Sequence, residues 1–213
     1  MLFVLISYVT VFGILVLCDH LIKRQKISPE LGRKITHACN ATAAAAWPWF
    51  TSYKLVILLS LFSGLAAIYV KKQGYFHSLR KVNRISYGEI YFALGIAVTA
   101  AFNPPVWAFS IAILHLGFAD SMAAIVGKAK GRRHHFTIFD QTKTVEGSTA
   151  FFITSVVITG VGLLLVAPAG LENAWLVTLL VPITATMLEM DGVFGVDNIL
   201  VPVFVASVLA QLA

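Results

Sequence analysis

The sequence predicts an all-α integral membrane protein, a polytopic bundle of about seven or eight transmembrane helices in one domain, residues 1–213. Two observations predict this fold class. Apolar residues make up 58% of the chain and charged residues 12%, whereas an ordinary soluble domain is roughly 25% charged. The mean hydropathy is +0.84, and long apolar runs alternate with short polar segments. A chain of this length has room for one helical bundle.

Eight apolar runs approach the roughly 20 residues that a helix needs to cross a bilayer. They cover residues 2–22, 35–50, 54–70, 88–102, 105–126, 147–167, 173–190 and 199–212. The first run has no basic residue before it and no small-residue cleavage site after it, so we expect a retained helix rather than a signal peptide. Ser28-Pro29-Glu30 has the pattern of a capped helix start. Asn103-Pro104-Pro105 predicts the break between the fourth and fifth helices.

The basic residues predict the orientation of the chain in the membrane. Fifteen of the sixteen Lys and Arg residues lie in the loops after the first, third and fifth runs. The positive-inside rule places such loops on the cytoplasmic side, together with all the polar segments, at about 23–37, 71–89, 120–148 and 189–198. We therefore expect both termini outside and an active site facing the cytoplasm. The net charge of +6 then reflects topology and phosphate binding rather than a nucleic-acid partner.

Asp120 is the most informative single residue. It lies seven residues before Gly127, which is roughly 10 Å inside the expected helix end. A carboxylate at that depth is costly unless it is paired, hydrated or bound to a metal, so a functional role is the first hypothesis. The alternative is a carboxylate that pairs with Lys or Arg for packing alone.

Arg33, Lys34 and His37 lie near the start of the second helix. Arg33 and His37 are four residues apart and share a helix face, with Lys34 beside them. Two cations and an imidazole could hold the phosphate of a nucleotide or of a lipid product. Arg33 and Lys34 could equally be ordinary positive flanks of a membrane helix.

The segment after the fifth helix combines glycines with dense positive charge, in Gly127, Lys128, Gly131, Arg132 and Arg133. We expect a flexible loop whose backbone N–H groups and side chains bind the phosphates of a nucleotide. The spacing of a Walker A loop is absent. Taken alone, such a basic loop also suits anionic lipid headgroups.

Lys143 and Glu146 open the sixth helix, and a helix N-terminus favours anions. Lys143 would add a positive charge for a phosphate, and Glu146 could bind Mg²⁺, accept a proton or merely compensate the helix dipole. Glu189 and Asp197 add carboxylates near the last loop, so Asp120, Glu146, Glu189 and Asp197 are the candidate metal ligands. Asp197 also suits the N-cap of the last helix.

Together these elements resemble the CTP-dependent lipid-alcohol kinase family, which includes phytol kinase, dolichol kinase and the CTP-dependent diacylglycerol kinase. Each matching motif is short, but five occur in the family's order and cover most of the chain. Ala119 departs from the family, which more often has Gly before the aspartate. The matching elements are Arg33-Lys34 with His37, Gly88-Glu89, Asp120 with Ala123 and Gly127, Lys143 to Ser148, and Asp197-Asn198.

The resemblance implies CTP as phosphoryl donor and a lipid alcohol as acceptor, either an isoprenoid such as phytol, polyprenol or dolichol, or diacylglycerol. The candidate carboxylates predict Mg²⁺ as cofactor. Asp120 or Glu146 would be the base. A cytidylyltransferase acting on a phospholipid and a small ion-coupled transporter are the alternatives. The sequence does not indicate an oligomeric state or a particular membrane.

Overall fold

The computed structural model describes residues 2–73, 88–131, 134–138, 141–168, 171–192 and 195–212, and most of these residues are helical. We number the described helices α1 to α9, and a 3₁₀ turn, Trp47–Trp49, follows α2. Their bounds are α1 Leu2–Lys23, α2 Pro29–Ala46, α3 Tyr53–Gln73, α4 Gly88–Ala101, α5 Val106–Leu114, α6 Asp120–Lys130, α7 Val145–Leu165, α8 Ala174–Asp191 and α9 Asp197–Ala210. A π-helix, His115–Ala119, joins α5 to α6 without a break.

The predicted all-α membrane bundle is confirmed, and the apolar runs predicted most helix ends to within a few residues. Ser28 caps α2 as predicted, because its Oγ accepts a hydrogen bond of 3.2 Å from the Leu31 N–H. The N-cap expected at Asp197 is wrong: Asp197 is the first residue of α9, and Val196 before it makes no side-chain capping bond. The chain enters α9 through a turn, in which the Asn198 and Ile199 N–H groups donate hydrogen bonds to the backbone carbonyls of Gly195 and Val196.

The predicted loop from Gly127 to Lys130 is wrong, because α6 continues through this segment. Lys128, Ala129 and Lys130 are good helix formers, and the helix ends only at Gly131, whose N–H bonds back to the Gly127 carbonyl. Asp120 therefore lies about 15 Å from the end of its helix, at 1.5 Å per residue.

The rod formed by α5, the π-helix and α6 lies at the centre of the bundle. About 61% of the most apolar stretch of this rod is buried inside the protein. The corresponding share is 17–28% in the other four described helices that are long and apolar enough to span a membrane. One core cluster packs α5 and α6 against α7, α8 and α9, and a second packs α5 against α1, α2, α3 and α4. The central rod thus positions Asp120 between the two halves.

The outer faces of the surrounding helices are apolar. Leu5 and Val9 of α1, Phe62 of α3 and Leu164 of α7 are all more than half exposed. The described residues include five helices of spanning length and two shorter apolar ones, α4 and α9, so these exposed side chains suit lipid contact. The chain is a multi-pass integral membrane protein.

A short antiparallel hairpin, which the sequence did not predict, lies between α6 and α7. Its strands are β1 His135–Ile138 and β2 Gln141–Thr144, paired with His135 opposite Thr144. Thr137 and Ile138 of β1 and Thr142 and Thr144 of β2 are β-branched, which favours extended structure. The hairpin brings Lys143 and Thr144 to the start of α7.

Candidate active site

A cavity of about 560 Å³ opens at the end of the bundle where α2, α4, α7 and α9 begin and α6 and α8 end. Six helix ends and the hairpin contribute to its wall. Its charged lining balances, with four carboxylates facing four Lys or Arg side chains. These are Glu30, Asp120, Glu189 and Asp197 against Arg33, Lys34, Lys128 and Lys143.

Asp120 is held by two residues of α2. The Lys34 Nζ donates a hydrogen bond of 2.6 Å to Asp120 Oδ2, and the His37 Nε2 lies 3.8 Å from the same oxygen. The Lys34 side chain is 5% exposed and that of Asp120 is 23% exposed, so the carboxylate keeps access to the cavity while its partner is buried. The Lys34–Asp120 ion pair thus joins α2 to α6 across 86 positions of the sequence.

The His37 ring is positioned by packing as well as by charge. It packs against the ring of Phe92 in α4 with a centroid distance of 4.1 Å. Its Nε2 is buried and has no hydrogen-bond partner among the described residues. A buried polar atom of this kind normally has a partner, so His37 has hydrogen-bonding capacity available for a substrate.

Arg33 is partly neutralised by its neighbour one turn earlier. Its Nη2 donates a hydrogen bond of 2.6 Å to Glu30 Oε1, and its Nε a second of 3.3 Å to Oε2. Glu30 lies in the first turn of α2, ahead of the apolar part of that helix. Burial would raise the pKa of Glu30, but the hydrogen bonds and charge of Arg33 outweigh it and hold this pKa below its ordinary value. Glu30 therefore remains ionised and fixes the guanidinium at the cavity rim.

Lys143 and Glu189 form a second ion pair across the cavity. The Lys143 Nζ contacts Glu189 Oε1 at 2.5 Å and also donates to the Glu189 backbone carbonyl. The other carboxylate oxygen of Glu189 and the side-chain oxygen of Asn198 are buried without a hydrogen-bond partner among the described residues. Both residues line the cavity, so it contains buried oxygen atoms suited to a cation.

The N-terminus of α7 is brought to the cavity by close packing against α6. Thr144 caps α7, its Oγ1 accepting a hydrogen bond of 3.1 Å from the Gly147 N–H. A Cβ at Gly127 or at Gly147 would lie 2.8 Å from that Oγ1, and one at Gly147 would also lie 3.0 Å from the Ala123 carbonyl. The two glycines thus permit the helices to touch, which turns the positive end of the α7 dipole toward the cavity.

The structure brings most of the predicted site residues to this one cavity, namely Arg33, Lys34, His37, Asp120, Gly127, Lys128, Lys143, Glu189 and Asp197. Glu146 is not among the described lining residues, and its Oε1 instead lies 2.8 Å from His134 Nδ1. Gly131 ends α6 and packs against Thr144 rather than lining the cavity. Arg132 and Arg133 lie outside the described residues.

The candidate metal ligands are not preassembled. Within the described part of the chain, no three His, Cys, Asp or Glu side chains are grouped closely enough to form a metal site by themselves. Asp120, Glu189 and Asp197 nevertheless line the same cavity. The roles assigned to them from the sequence stay predictions.

Several lining residues were not selected from the sequence. Asn198 and Ser148 occur in motifs that matched the family, and their presence there was the available indication. The sequence indicates Glu30 only as a helix-start acid, whereas its pairing with Arg33 places it in the cavity wall. Thr142 belongs to the unpredicted hairpin, so nothing in the local sequence placed it here.

Comparison with known proteins shows similarity to a curated kinase. Over 208 residues the chain is 31% identical to a phytol kinase of Synechocystis sp., and the alignment covers 91% of this chain and 84% of that protein. No family model matches the sequence, and no solved structure matches the fold.

Proposed function

The chain belongs to the phytol kinase family of lipid-alcohol kinases, and we propose that it transfers the γ-phosphoryl group of CTP to the hydroxyl of an isoprenoid alcohol. One observation of the structure carries this proposal. Asp120 with His37, the Lys143–Glu189 pair and the α7 N-terminus all face one cavity at the end of the bundle. CTP as the donor follows from the five family-like motifs, and the isoprenoid acceptor from the relative's name. The positive-inside pattern supports a cytoplasmic cavity.

The phosphates of the nucleotide would lie along the basic wall of the cavity. Lys128 and Lys143 would contact them as point charges, and the N–H groups at the start of α7 would donate hydrogen bonds. The Ser148 Oγ is buried, lines the cavity and has no hydrogen-bond partner among the described residues, so it would add a hydroxyl donor. Phosphoryl transfer depends mainly on such alignment and charge neutralisation.

The oxygen atoms of the cavity fit Mg²⁺. Because four carboxylates offset the four cations of the lining, the cavity has little net attraction for a polyphosphate. A divalent cation would offset the repulsion between these carboxylates and the phosphates. Mg²⁺ commonly uses one or two carboxylates plus substrate phosphates, so a preassembled cluster is not required. Asp120, Glu189 and Asp197, with the Asn198 amide oxygen, would hold it. When bound, the metal would neutralise charge on the phosphates.

The acceptor hydroxyl would approach beside His37 and Asp120. Its oxygen forms a bond to the γ-phosphorus, the bond from that phosphorus to the β-phosphate oxygen breaks, and CDP leaves. Of the two carboxylates considered as the base, Asp120 lines the cavity and Glu146 contacts His134, so we assign the hydroxyl proton to Asp120. Proton transfer to a positioned carboxylate of this kind contributes about 10²–10⁴-fold to the rate.

The proposal is tested with purified protein in detergent, supplied with Mg²⁺, γ-labelled CTP, ATP or GTP, and a panel of isoprenoid alcohols and diacylglycerol. We expect label in an isoprenoid alcohol, from CTP. Asp120→Asn should abolish transfer, whereas Asp191→Asn, an exposed aspartate that is not among the described lining residues, should not.

Other results would contradict particular parts of the proposal. Transfer from ATP would overturn the donor, and label in diacylglycerol alone would overturn the acceptor. Release of pyrophosphate instead of CDP would indicate cytidylyl transfer to a phospholipid. Full activity of the Asp120→Asn variant would refute the assigned site.

A further inference from the structure

A second cavity, of about 300 Å³, lies beside the first, between α1 and α3, with α2 and α4 behind it. Its lining is mainly hydrocarbon. Arg33 and His37 line both cavities, so the apolar groove reaches the polar site at these two residues. From Arg33 to Trp47, which both line the groove, α2 and its turn extend about 21 Å at 1.5 Å per residue, or most of a 30 Å hydrocarbon core.

The lining that α1 and α3 contribute to the groove includes three hydroxyl groups, those of Tyr8, Ser60 and Ser63. Far from the polar site, the Tyr8 hydroxyl bonds the Leu59 carbonyl at 3.0 Å and the Ser63 hydroxyl at 2.7 Å. The Ser60 hydroxyl donates to the Ile57 carbonyl. These groups are satisfied within the protein and need no solvent. The His37 Nε2 at the other end has no such partner among the described residues.

A groove with this polarity fits an amphiphile that has one small polar end and a long apolar tail. A phospholipid in the same position would bring a bulky anionic headgroup into a site that the nucleotide phosphates must occupy. A primary alcohol brings only a hydroxyl, which His37 can bind 3.8 Å from the Asp120 carboxylate. The outer side of the groove carries Phe12 and Phe62, which are 60% and 66% exposed, so the groove borders the lipid phase from which such an alcohol enters.

We propose that the groove between α1 and α3 binds the hydrocarbon tail of the acceptor alcohol and that its length sets the preferred chain length. This rests on the proposed lipid-alcohol kinase function. The tail lies against Val11 and Leu15 of α1 and Ala67 of α3, and the hydroxyl meets His37 and Asp120. Methylene groups that fit within the groove make van der Waals contacts with these side chains, whereas a tail longer than the groove must extend beyond it.

The experiment uses two Val→Trp variants on the same helix. Val11 lines the groove partway along its length, so Val11→Trp should shorten it while leaving the end at His37 open. Val9 is 65% exposed on the outer face of α1, and Val9→Trp is the matched control. We expect Val11→Trp to lower kcat/KM for a twenty-carbon isoprenoid alcohol about tenfold relative to a ten-carbon one, because the indole overpacks the part of the groove that only the longer tail reaches. Val9→Trp should leave that ratio unchanged.

A second readout does not depend on phosphoryl transfer. The protein in detergent is irradiated with a twenty-carbon alcohol that carries a diazirine in its tail, and the labelled peptides are mapped. We expect label on α1 and α3, competed by unlabelled alcohol and reduced in Val11→Trp but not in Val9→Trp. Binding of the nucleotide to each variant shows that it is folded.

The two readouts separate failure of the groove from failure of the kinase proposal. Groove labelling by the alcohol without phosphorylation would retain the groove and refute the kinase function. Phosphorylation with label elsewhere, or with an unchanged chain-length ratio in folded Val11→Trp, would refute the groove. Label in the groove that phospholipid displaces and free alcohol does not would assign the groove to a bilayer lipid and overturn the proposal.

Discussion

Replacing Asp120 with Asn should destabilise the protein more than replacing its partner Lys34 with Met. The Lys34 side chain is 5% exposed and that of Asp120 is 23% exposed. Asp120→Asn leaves a buried ammonium without a counter-charge, and removing one partner of a buried pair costs about 3–5 kcal/mol. Because the Asn oxygen still accepts a hydrogen bond, we expect about 3 kcal/mol, the lower end of that range.

Lys34→Met leaves the opposite charge in a less buried place. Asp120 retains contact with water in the cavity and lies 3.8 Å from His37 Nε2, so the expected loss is about 1–2 kcal/mol, the cost of one unsatisfied group. The double variant should lose less than the sum of the two singles, since neither charge remains. Lys54→Met, at an exposed lysine, is the control and should be neutral.

The free energy of unfolding can be measured for these variants by titrating detergent micelles with a denaturing detergent and following helical circular dichroism. The order of losses decides the outcome. If Lys34→Met is the more damaging change, or if the two losses are equal and additive in the double variant, the Lys34 ammonium is hydrated and the buried-pair account is wrong.

Three further changes test other contacts. Gly147→Ala should lower the free energy of unfolding by about 1–3 kcal/mol, because the added methyl group overpacks the α6–α7 contact. At Gly13 a Cβ meets no described atom within 4 Å, so Gly13→Ala should be neutral. Equal effects of the two changes in unfolding titrations would refute the packing argument. His115 is fully buried and its Nε2 lies 3.2 Å from Thr159 Oγ1. His115→Phe should therefore lower the free energy of unfolding by about 1–3 kcal/mol and couple to Thr159→Val in a double-mutant cycle. Strict additivity of the two changes would exclude the bond. Lys143→Met should weaken nucleotide binding about tenfold or more, since a hydrogen bond to a charged group contributes about 1.5–3 kcal/mol; unchanged affinity by calorimetry would remove it from the phosphate site.

The fold was largely predictable because the membrane limits what an apolar run can become. In hydrocarbon every backbone group needs an internal partner, so a run of about 20 apolar residues is a helix. The same argument identified Asp120, since a carboxylate inside such a helix is conspicuous. Its partner was not predictable in the same way. Lys34 is 86 positions away, and sequence periodicity does not report which helices become neighbours.

The local departures have a different cause, which is competition between nearby contacts. The hairpin lies directly after the segment that the sequence predicted to be a flexible basic loop, and Glu146 contacts His134 just ahead of its first strand. Whether an acid in the first turn of α7 faces the cavity or the hairpin depends on the rotation of that turn. Packing at Gly127 and Gly147 sets this rotation, and it cannot be predicted from the composition of the segment.

The π-helix at His115–Ala119 makes the length of the central rod adjustable at one point. Hydrogen bonds from i to i+5 accommodate an extra residue, so such a segment behaves as an insertion absorbed within a helix. Removing one residue from it would leave both flanks in their original rotational phase. Removing one residue elsewhere from the rod would turn one flank by about 100° and carry Asp120 away from Lys34. Among relatives of this chain, a single-residue gap in the central helix should therefore fall between His115 and Ala119.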